Sequence, residues 1–273
     1  MNLFYAMGGG MGHLSRVHTF INQFHISPYK ILTNNPLAEK LFNPENILYA
    51  EGKTITQVSR QVSIAIHSTA YNELYIDTFP VGLFGELNTI KANIKTHYLA
   101  RRLKWDAYKA LVKNIPVFNT TYCFEELEPA HETFLQKTGK NILATNLQYP
   151  APNPARIPAH LIPEGKPLWL VVHAFIREET EALVSYAKEI AALENYNPVF
   201  VVLTDQQIDI ENVFCYTYFP AYDWFPLADR IFVGGGFNSL QQAAPYRHKT
   251  TAMPFPRKYD DQFWRVDYFK RTH

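Results

Sequence analysis

The stretch NLFYAMGGGMGH at residues 2–13 decides the fold class of this chain. Its first half is apolar and predicts a buried strand, which three consecutive glycines bring to an end. The residues that follow carry apolar side chains at helical spacing, so a helix is predicted from about residue 14 to residue 24. In α/β proteins, a strand that breaks into glycine and continues as a helix brings bare backbone N–H groups up to a phosphate.

A second stretch, IFVGGGFNS at residues 231–239, repeats this arrangement near the other end of the chain. Together the two stretches contain seven of the twelve glycines. We therefore expect an α/β protein with two Rossmann-like domains, each built on a parallel sheet, and a cleft between them.

Strands and helices alternate between the two stretches, as this fold class requires. In the first half, strands are predicted at 29–33, 47–50 and 74–76, the last ending at Asp77, with helices at 36–42 and 55–66. In the second half, strands are predicted at 168–172, 199–203, 214–218, 231–233 and 250–253, with helices at 178–193 and 239–244.

Six prolines between residues 150 and 167 separate the two halves. Proline at this density disfavours helix and central strand alike, so the segment is predicted to be an inter-domain linker. The predicted boundaries are 1–150 for the N-terminal domain, 151–167 for the linker and 168–273 for the C-terminal domain.

The composition is that of a globular protein and argues against several functional classes. Hydrophobic residues make up 47% of the 273 residues, charged residues make up 19%, and the net charge is +1. A nucleic-acid-binding domain is normally strongly basic, so no nucleic-acid partner is expected. Two cysteines far apart and ten histidines without ligand spacing predict neither a disulfide framework nor a metal site. Without a signal-peptide pattern or a long apolar run, a cytoplasmic location is expected.

The first glycine loop delivers a histidine to the start of a helix. A dinucleotide fingerprint would need glycine where His13 stands and an acidic residue where the chain has Asn34 and Asn35, and the P-loop lysine is also missing. The positive end of a helix dipole disfavours imidazolium, so His13 would stay neutral and able to accept a proton. A capping or merely packed histidine is an equally good interpretation at this stage.

The second loop is the better candidate for binding phosphate. Glycine lets the backbone approach a ligand, while Asn238 and Ser239 can cap the helix and donate to phosphate oxygens. One strand later, PFPRKYDDQ at residues 254–262 places carboxylates and an amide at a strand's carboxyl end, where open α/β sheets bind ligands.

These motifs resemble the nucleotide-sugar glycosyltransferases of the GT-B fold. The order of the His13 loop, the proline-rich segment, GGGFNS and PF…DDQ is similar to the lipid I N-acetylglucosaminyltransferase family of peptidoglycan synthesis and to related bacterial glycosyltransferases. The segments DTFPVGLFGEL at 77–87 and YLARRL at 98–103 also resemble that related group. The resemblance spans nearly the whole chain.

The resemblance implies a role for each motif. His13 would be the base that deprotonates the acceptor hydroxyl, on the loop formed by Gly9, Gly10 and Gly12, with Asp77 either orienting it or serving as an ordinary strand end. The donor diphosphate and sugar would be bound by residues of the C-terminal half: Gly235, Gly236, Phe237, Asn238, Ser239, Gln242, Asp261 and Gln262.

The chain departs from the family pattern at three places. Gln242 stands where the family has a glutamate for the ribose hydroxyls. The glycine-rich loop after the first strand of the second domain is replaced by His173-Ala174-Phe175. The tail after Gln262 is short for the closing helix of the fold.

The leading hypothesis is transfer of a sugar from a nucleotide diphosphate donor, UDP-linked, to an acceptor hydroxyl by an inverting displacement that needs no metal or other cofactor. The partners would be the nucleotide sugar and a saccharide or lipid-linked acceptor. Two alternatives are open: a nucleotide-sugar hydrolase or epimerase, and a binding protein without catalysis. The basic stretch Arg101-Arg102-Leu103-Lys104-Trp105 is either a solvated face or a contact surface, for an anionic membrane at the cytoplasmic side or for a phosphorylated acceptor.

Overall fold

The computed structural model describes residues 1–68, 70–89, 94–173, 176–206 and 208–271. They form two compact units. The first unit comprises Met1–Gln148 and Lys258–Asp261, and the second comprises Tyr149–Arg257 and the segment from Gln262 onward. The chain therefore leaves the second unit for four residues and returns to it before the last helix.

The first unit contains a seven-stranded parallel sheet with the strand order β3-β2-β1-β4-β5-β6-β7. Its strands are β1 (Asn2–Tyr5), β2 (Tyr29–Thr33), β3 (Ile47–Tyr49), β4 (Glu73–Asp77), β5 (Lys95–Ala100), β6 (Thr120–Cys123) and β7 (Ile142–Ala144). Its helices are α1 (Gly12–Gln23), α2 (Ile55–Ile66), α3 (Trp105–Tyr108) and α4 (Pro129–Thr138), with 3-10 turns at Pro36–Lys40, Pro44–Asn46, Glu86–Thr89 and Lys109–Leu111.

Helices cover both faces of this sheet, because its central strands are buried on both sides. Phe4 packs on one face against Phe20 of α1, with ring centroids 6.4 Å apart. Its neighbours Leu3 and Tyr5 belong to a core cluster on the other face together with Val62 of α2. A capping box between Thr54 and Gln57 fixes the start of α2.

The second unit contains a five-stranded parallel sheet with the order β10-β9-β8-β11-β12. Its strands are β8 (Leu168–Val172), β9 (Val199–Leu203), β10 (Val213–Tyr216), β11 (Arg230–Gly234) and β12 (Thr250–Met253). Its helices are α5 (Arg177–Leu193), α6 (Phe237–Ala243) and α7 (Gln262–Arg271), with 3-10 turns at Pro154–Arg156, Ala159–Leu161, Ala221–Trp224 and Ala244–Lys249.

Successive side chains of β8 point to opposite faces of this sheet, and each face is covered by its own core cluster. Leu168 and Leu170 belong to a cluster that includes Trp224. Trp169 and Val171 point to the opposite face, where they join Leu183 of α5.

The structure confirms the predicted fold class, two parallel α/β sheets. It also corrects the predicted elements. In place of the regular helix predicted at 36–42 there is a 3-10 turn at Pro36–Lys40. The helix predicted at 239–244 begins at Phe237, and the strand predicted at 214–218 ends at Tyr216. The sequence did not reveal β5, β6, β7 and α4, and α7 occupies the tail that was expected to leave little room for a closing helix.

The proline-rich segment packs on the core of the second unit. It contains two 3-10 turns, and between them Ile157 is buried to 5% exposure within the second core, with Leu161 and Ile162 against the same cluster. Asn153 N–H donates to the Asp223 carboxylate at 2.7 Å. The prolines thus exclude regular helix and strand, as expected, while the segment remains attached to the second unit.

Candidate functional site

Each sheet has one point where the direction of strand progression reverses, and a predicted motif lies at each. In the first unit, β1 and β4 are adjacent although β2 and β3 separate them in sequence. In the second unit, β8 and β11 are the corresponding pair. The loops after such strands diverge to opposite faces and open a crevice at the carboxyl edge, where α/β proteins bind ligands.

Two asparagines brace the glycine loop after β1. Gly8 N–H donates to the Asn34 side-chain oxygen at 2.9 Å, and the Asn35 amide donates to the Gly10 carbonyl at 2.6 Å. Dinucleotide-binding folds have an acidic residue for the ribose at this position. Here the two asparagines support the loop backbone.

The loop presses His13 against the end of β4. Gly8 has φ +150°, and a Cβ there would lie 2.5 Å from the His13 ring, so only glycine fits beneath it. His13 is the second residue of α1 and 8% exposed, and its ring stacks on Phe79 with centroids 5.4 Å apart. The prediction that the loop presents His13 in the first turn of a helix is confirmed.

A short hydrogen bond joins His13 to Asp77. His13 Nδ1 lies 2.6 Å from Asp77 Oδ2, and the Asp77 side chain is fully buried. An ionised carboxylate only accepts hydrogen bonds, so the ring proton is on Nδ1 and Nε2 carries the lone pair. The structure therefore brings together the two residues that the sequence proposed as catalytic.

Arg16 binds the same carboxylate. Its Nε donates to Asp77 Oδ1 and its Nη2 to Asp77 Oδ2, both at 2.6 Å, and Nη2 also donates to Thr78 Oγ1 at 2.7 Å. The sequence interpretation missed Arg16, although one signal was available. The arginine lies on the apolar face of α1 between His13 and Val17, where a charged residue needs a buried partner.

Burial and charge set the protonation states of the pair. Burial lowers the pKa of His13; the hydrogen bond to Asp77 opposes this effect, while Arg16 and Arg101 add to it. Burial alone would raise the pKa of Asp77, but Arg16 and His13 outweigh it and hold that pKa well below its usual range. The site therefore contains an ionised Asp77 and a neutral His13 able to accept a proton on Nε2.

Thr78 connects this pair to a further arginine. Its φ is +66°, which is strained for a β-branched residue, and Tyr98 Oη donates to its carbonyl at 2.7 Å. Arg101 Nε donates to Thr78 Oγ1 at 3.0 Å and its Nη1 pairs with Asp260. Residues 258–261 thus join the first unit at its site.

The basic stretch at 101–105 differs from both sequence interpretations. Arg101 and Arg102 are at most 9% exposed, and Arg102 pairs with Asp261 at 3.2 Å. Trp105 is 5% exposed and stacks on His131 with centroids 4.4 Å apart. These three side chains form neither a solvated face nor an exposed basic surface.

The second glycine loop follows β11 and leads into α6. Its glycines are needed for close packing: a Cβ at Gly234 would lie 2.7 Å from His173, and one at Gly235 would lie 2.7 Å from Val266. Gly235 N–H donates to the Met253 carbonyl at 2.9 Å. The N-cap is Gly236 and no side chain caps the helix, which corrects the expected capping by Asn238 and Ser239.

The structure separates the other predicted donor residues. Asn238 accepts a hydrogen bond from Tyr149 Oη at 3.0 Å, and Gln242 lies half-buried on α6. Gln262 is buried, and its side-chain oxygen accepts from Phe255 N–H at 3.0 Å, so it holds the loop after β12. Asp261 belongs to the first unit and pairs with Arg102, although it adjoins Gln262 in sequence.

A second histidine network, which the sequence interpretation did not identify, lies beside this loop. His173 Nε2 is 2.7 Å from Glu179 Oε2, and the two Glu179 oxygens accept from Arg257 Nη1 and Nη2 at 2.5 Å each. Burial and Arg257 lower the pKa of His173 and Glu179 opposes them; Glu179 itself has a lowered pKa because Arg257 and His173 outweigh its burial. Ala174 and Phe175, which follow His173, lie outside the described residues.

A cavity of about 380 Å³ opens in the second unit at the carboxyl ends of β9 and β10. Its lining is part polar and part apolar and includes Thr204, Gln206, Asp209 and Thr217. Within the described ranges, no group of three or more His, Cys, Asp or Glu residues could hold a metal ion. No helix in the same ranges has both the length and the apolar character needed to cross a membrane.

Solved structures with this fold include glycosyltransferases and an epimerase. The glycosyltransferase SnogD from Streptomyces nogalater matches with a TM-score of 0.56 at 12% identity, over 98% of this chain and 84% of that one. SsfS6 from Streptomyces sp. SF2575, a glycosyltransferase complexed with thymidine diphosphate, gives 0.57 at 11% identity, over 93% and 82%. UDP-N-acetylglucosamine 2-epimerase from Rickettsia bellii gives 0.61 at 8% identity, over 100% and 88%.

These matches confirm the GT-B fold that the sequence motifs implied. No protein-family model matches the chain, and none of the curated proteins matches it. The narrower resemblance to the lipid I N-acetylglucosaminyltransferase stays a prediction. Identities this low establish the fold alone.

Proposed function

We propose that this protein is a glycosyltransferase that moves a sugar from a nucleoside diphosphate, UDP by preference, to an acceptor hydroxyl. The observation that carries the proposal is the buried hydrogen bond between His13 and Asp77 at the strand reversal of the first sheet. A neutral histidine whose Nδ1 proton is held by a carboxylate is a typical general base for a hydroxyl nucleophile.

The proposed reaction is a single displacement. His13 Nε2 takes the proton of the acceptor hydroxyl as its oxygen bonds to the anomeric carbon of the sugar. The bond from that carbon to the diphosphate oxygen breaks, and its electron pair stays on the diphosphate. The configuration inverts because the acceptor attacks opposite the leaving group. Asp77 stabilises the imidazolium that forms, while Arg16 keeps the carboxylate ionised.

The second glycine loop is proposed to hold the diphosphate. The glycines before α6 let a ligand approach the start of this helix, where the positive end of the helix dipole favours an anion. Gly235 contributes shape alone, because its N–H is bonded to Met253. Phe237, Asn238, Ser239 and Gln242 follow on the same helix, and no metal or other cofactor is invoked for the leaving group. Asp261 and Gln262 stay candidates for the sugar hydroxyls.

Replacement of His13 tests the proposal. His13→Ala removes the only proton acceptor that the mechanism uses, so we expect transfer to fall about 10²- to 10⁴-fold with nucleotide affinity unchanged. The measurement is turnover of UDP- and TDP-sugars with saccharide and lipid-linked acceptors, together with calorimetry of nucleotide binding. His18→Gln on the same helix is the matched control and should keep wild-type turnover. Unchanged turnover in His13→Ala would disprove the assigned role.

A nucleotide-sugar hydrolase or epimerase is the second candidate. It is favoured by the fold shared with the Rickettsia bellii epimerase. Incubation with a UDP-sugar and no acceptor separates the possibilities: rapid release of free sugar indicates hydrolysis, a new epimer indicates epimerisation, and an unchanged donor favours transfer. If neither UDP, TDP nor their sugars bind at millimolar concentration, all these enzymatic proposals fail.

A further inference from the structure

Arg16 is the least expected member of the first network. Its side chain is 2% exposed and lies one helical turn after His13. Burying a guanidinium is costly unless its hydrogen bonds are satisfied, and an apolar residue of similar volume is often as stable at such a site. A buried arginine that forks onto one carboxylate therefore calls for an explanation beyond packing.

Arg16 and His13 bind the same oxygen of the Asp77 carboxylate. Oδ2 accepts from Arg16 Nη2 and is the atom that His13 Nδ1 contacts, both at 2.6 Å. Oδ1 accepts from Arg16 Nε at 2.6 Å. The carboxylate is thus already neutralised by a permanent cation before His13 interacts with it.

The charged groups around His13 come from three elements. Asp77 faces it from the end of β4, Arg16 from its own helix, and Arg101 from the segment after β5. Arg101 is itself paired with Asp260. Among the described residues, Asp77 is therefore the anion that attracts a proton to the ring, and Arg16 already donates to both of its oxygens.

We infer that Arg16 is a positioning residue: it holds the Asp77 carboxylate with both oxygens engaged, so that Asp77 orients the Nδ1–H of a neutral His13 without drawing a second proton onto Nε2. The inference rests on the proposed function for its catalytic meaning. Its structural content, the tautomer and the charge of His13, stands independently of any activity.

The consequence for pH follows from the direction of each interaction. With Arg16 present, burial and the arginines lower the pKa of His13. Without it, the ionised Asp77 would have His13 as its main cation, and an imidazolium next to a buried carboxylate is favoured over the neutral ring. At neutral pH the base would then be protonated before the acceptor arrives.

Nitrogen NMR of histidine-labelled wild-type protein is the first test. The ¹⁵N shifts distinguish a ring protonated on Nδ1, a ring protonated on Nε2 and an imidazolium. We expect His13, assigned by its loss in His13→Ala, to carry its proton on Nδ1 alone at pH 7. An imidazolium or an Nε2–H tautomer at pH 7 would overturn the inference, and this requires no arginine variant.

Comparison of Arg16→Met with Arg16→Lys is the second test. In Arg16→Met, which keeps the length and apolar stem, we expect the midpoint of the His13 titration to rise by about one pH unit or more, a tenfold shift in protonation. Arg16→Lys keeps the charge and should stay near wild type. Equal midpoints in wild type and Arg16→Met would refute the inference, and if Arg16→Met does not fold, Arg16→Gln takes its place.

The same variants separate this inference from the proposed function. If the enzyme transfers sugars, the acid limb of its kcat profile should move upward with the NMR midpoint while the nucleotide affinity stays constant. If no substrate is turned over but the NMR result is as expected, the proposed function fails and the role of Arg16 stands. An active enzyme whose acid limb does not respond to Arg16→Met contradicts the role of Arg16 alone.

Discussion

The two units contain the same three chemical groups in different surroundings. In the first unit, the Asp77 carboxylate contacts His13 and Arg16. In the second unit, the Glu179 carboxylate contacts His173 and Arg257. In both, the histidine follows the strand that starts the sheet reversal, and a forked arginine holds the carboxylate. The carboxylate is fully buried in the first unit, whereas in the second the side chains of Glu179 and Arg257 are 14% and 25% exposed.

The difference lies in how each carboxylate reaches its histidine. Asp77 lies 64 residues after His13, at the end of β4, and the pairing of β4 with β1 fixes its position. Glu179 lies only six residues after His173, in the first turn of α5, and Arg257 comes from the loop after β12. Water screens the second network more, and its groups can rearrange around a ligand. We therefore expect the first network to take part in the proton transfer and the second to rearrange when a ligand binds.

Replacing each carboxylate by its amide should give the largest difference between the two networks. Asp77→Asn leaves Arg16 without its anion and changes the group that orients the His13 proton, so we expect kcat to fall about 10²- to 10⁴-fold. The lost buried ion pair should also cost about 3–5 kcal/mol of stability. Glu179→Gln is the matched variant in the less buried network and should change kcat less than about tenfold. Steady-state kinetics and urea unfolding measure both, and equal effects of the two variants would contradict the distinction.

Glycine replacement next to each histidine gives a smaller effect. Gly8→Ala combines φ +150° with a Cβ 2.5 Å from the His13 ring, so we expect about 2–3 kcal/mol of destabilisation and at least a tenfold loss of transfer. Gly234→Ala has the clash with His173 without a positive φ, so about 1–2 kcal/mol is expected, with weaker nucleotide binding.

Gly12→Ala provides the control for that pair. Apart from its two chain neighbours and the backbone of its own helix, no described atom lies within 4 Å of a Cβ at Gly12. Alanine is also the better helix former. Urea midpoints and turnover of Gly12→Ala should therefore equal or exceed wild type. If Gly12→Ala is as harmful as Gly8→Ala, the contact between Gly8 and His13 is not the cause.

The pH dependence of stability gives the smallest and most quantitative test. His13 and His173 have lowered pKa values in the folded state, so the unfolded chain binds more protons below about pH 6.5 and stability falls as the pH decreases. Each proton taken up contributes at most about 1.4 kcal/mol per pH unit. Burial also lowers the pKa of His131, to about 3, and His131 makes the same contribution whether His13 or His173 is replaced.

We expect His13→Gln to flatten the stability profile between pH 7 and pH 5 more than His173→Gln does, because His13 is the more enclosed ring. Urea unfolding at half-unit pH intervals gives the slopes. A flatter profile in His173→Gln than in His13→Gln would contradict the expectation that His13 contributes more to the pH dependence of stability.

Local patterns in the sequence were enough to find the strands, loops and helices that begin each unit. The predicted bounds are correct for the strand at Tyr29–Thr33, the helix at Ile55–Ile66 and the strand at Leu168–Val172. Strand and helix patterns depend on residues close together in the sequence, so they can be recognised without the fold. Strands β5 to β7 were missed because they are polar or short; β5 contains Lys95, Thr96 and His97. Their strand character depends on pairing with β4 and with one another.

The candidate site divides in the same way. The presentation of His13 by a glycine loop in the first turn of a helix could be predicted from the sequence, since glycine conformation and helix periodicity are local properties. Three features depend on the tertiary fold: His13 and Arg16 share the Asp77 carboxylate, Asn34 and Asn35 hold the glycine loop, and Asp261 and Gln262 belong to different units. A parallel sheet joins strands that are far apart in the chain, so the partners of a side chain at its carboxyl edge are fixed by strand order, and local sequence patterns do not contain that order.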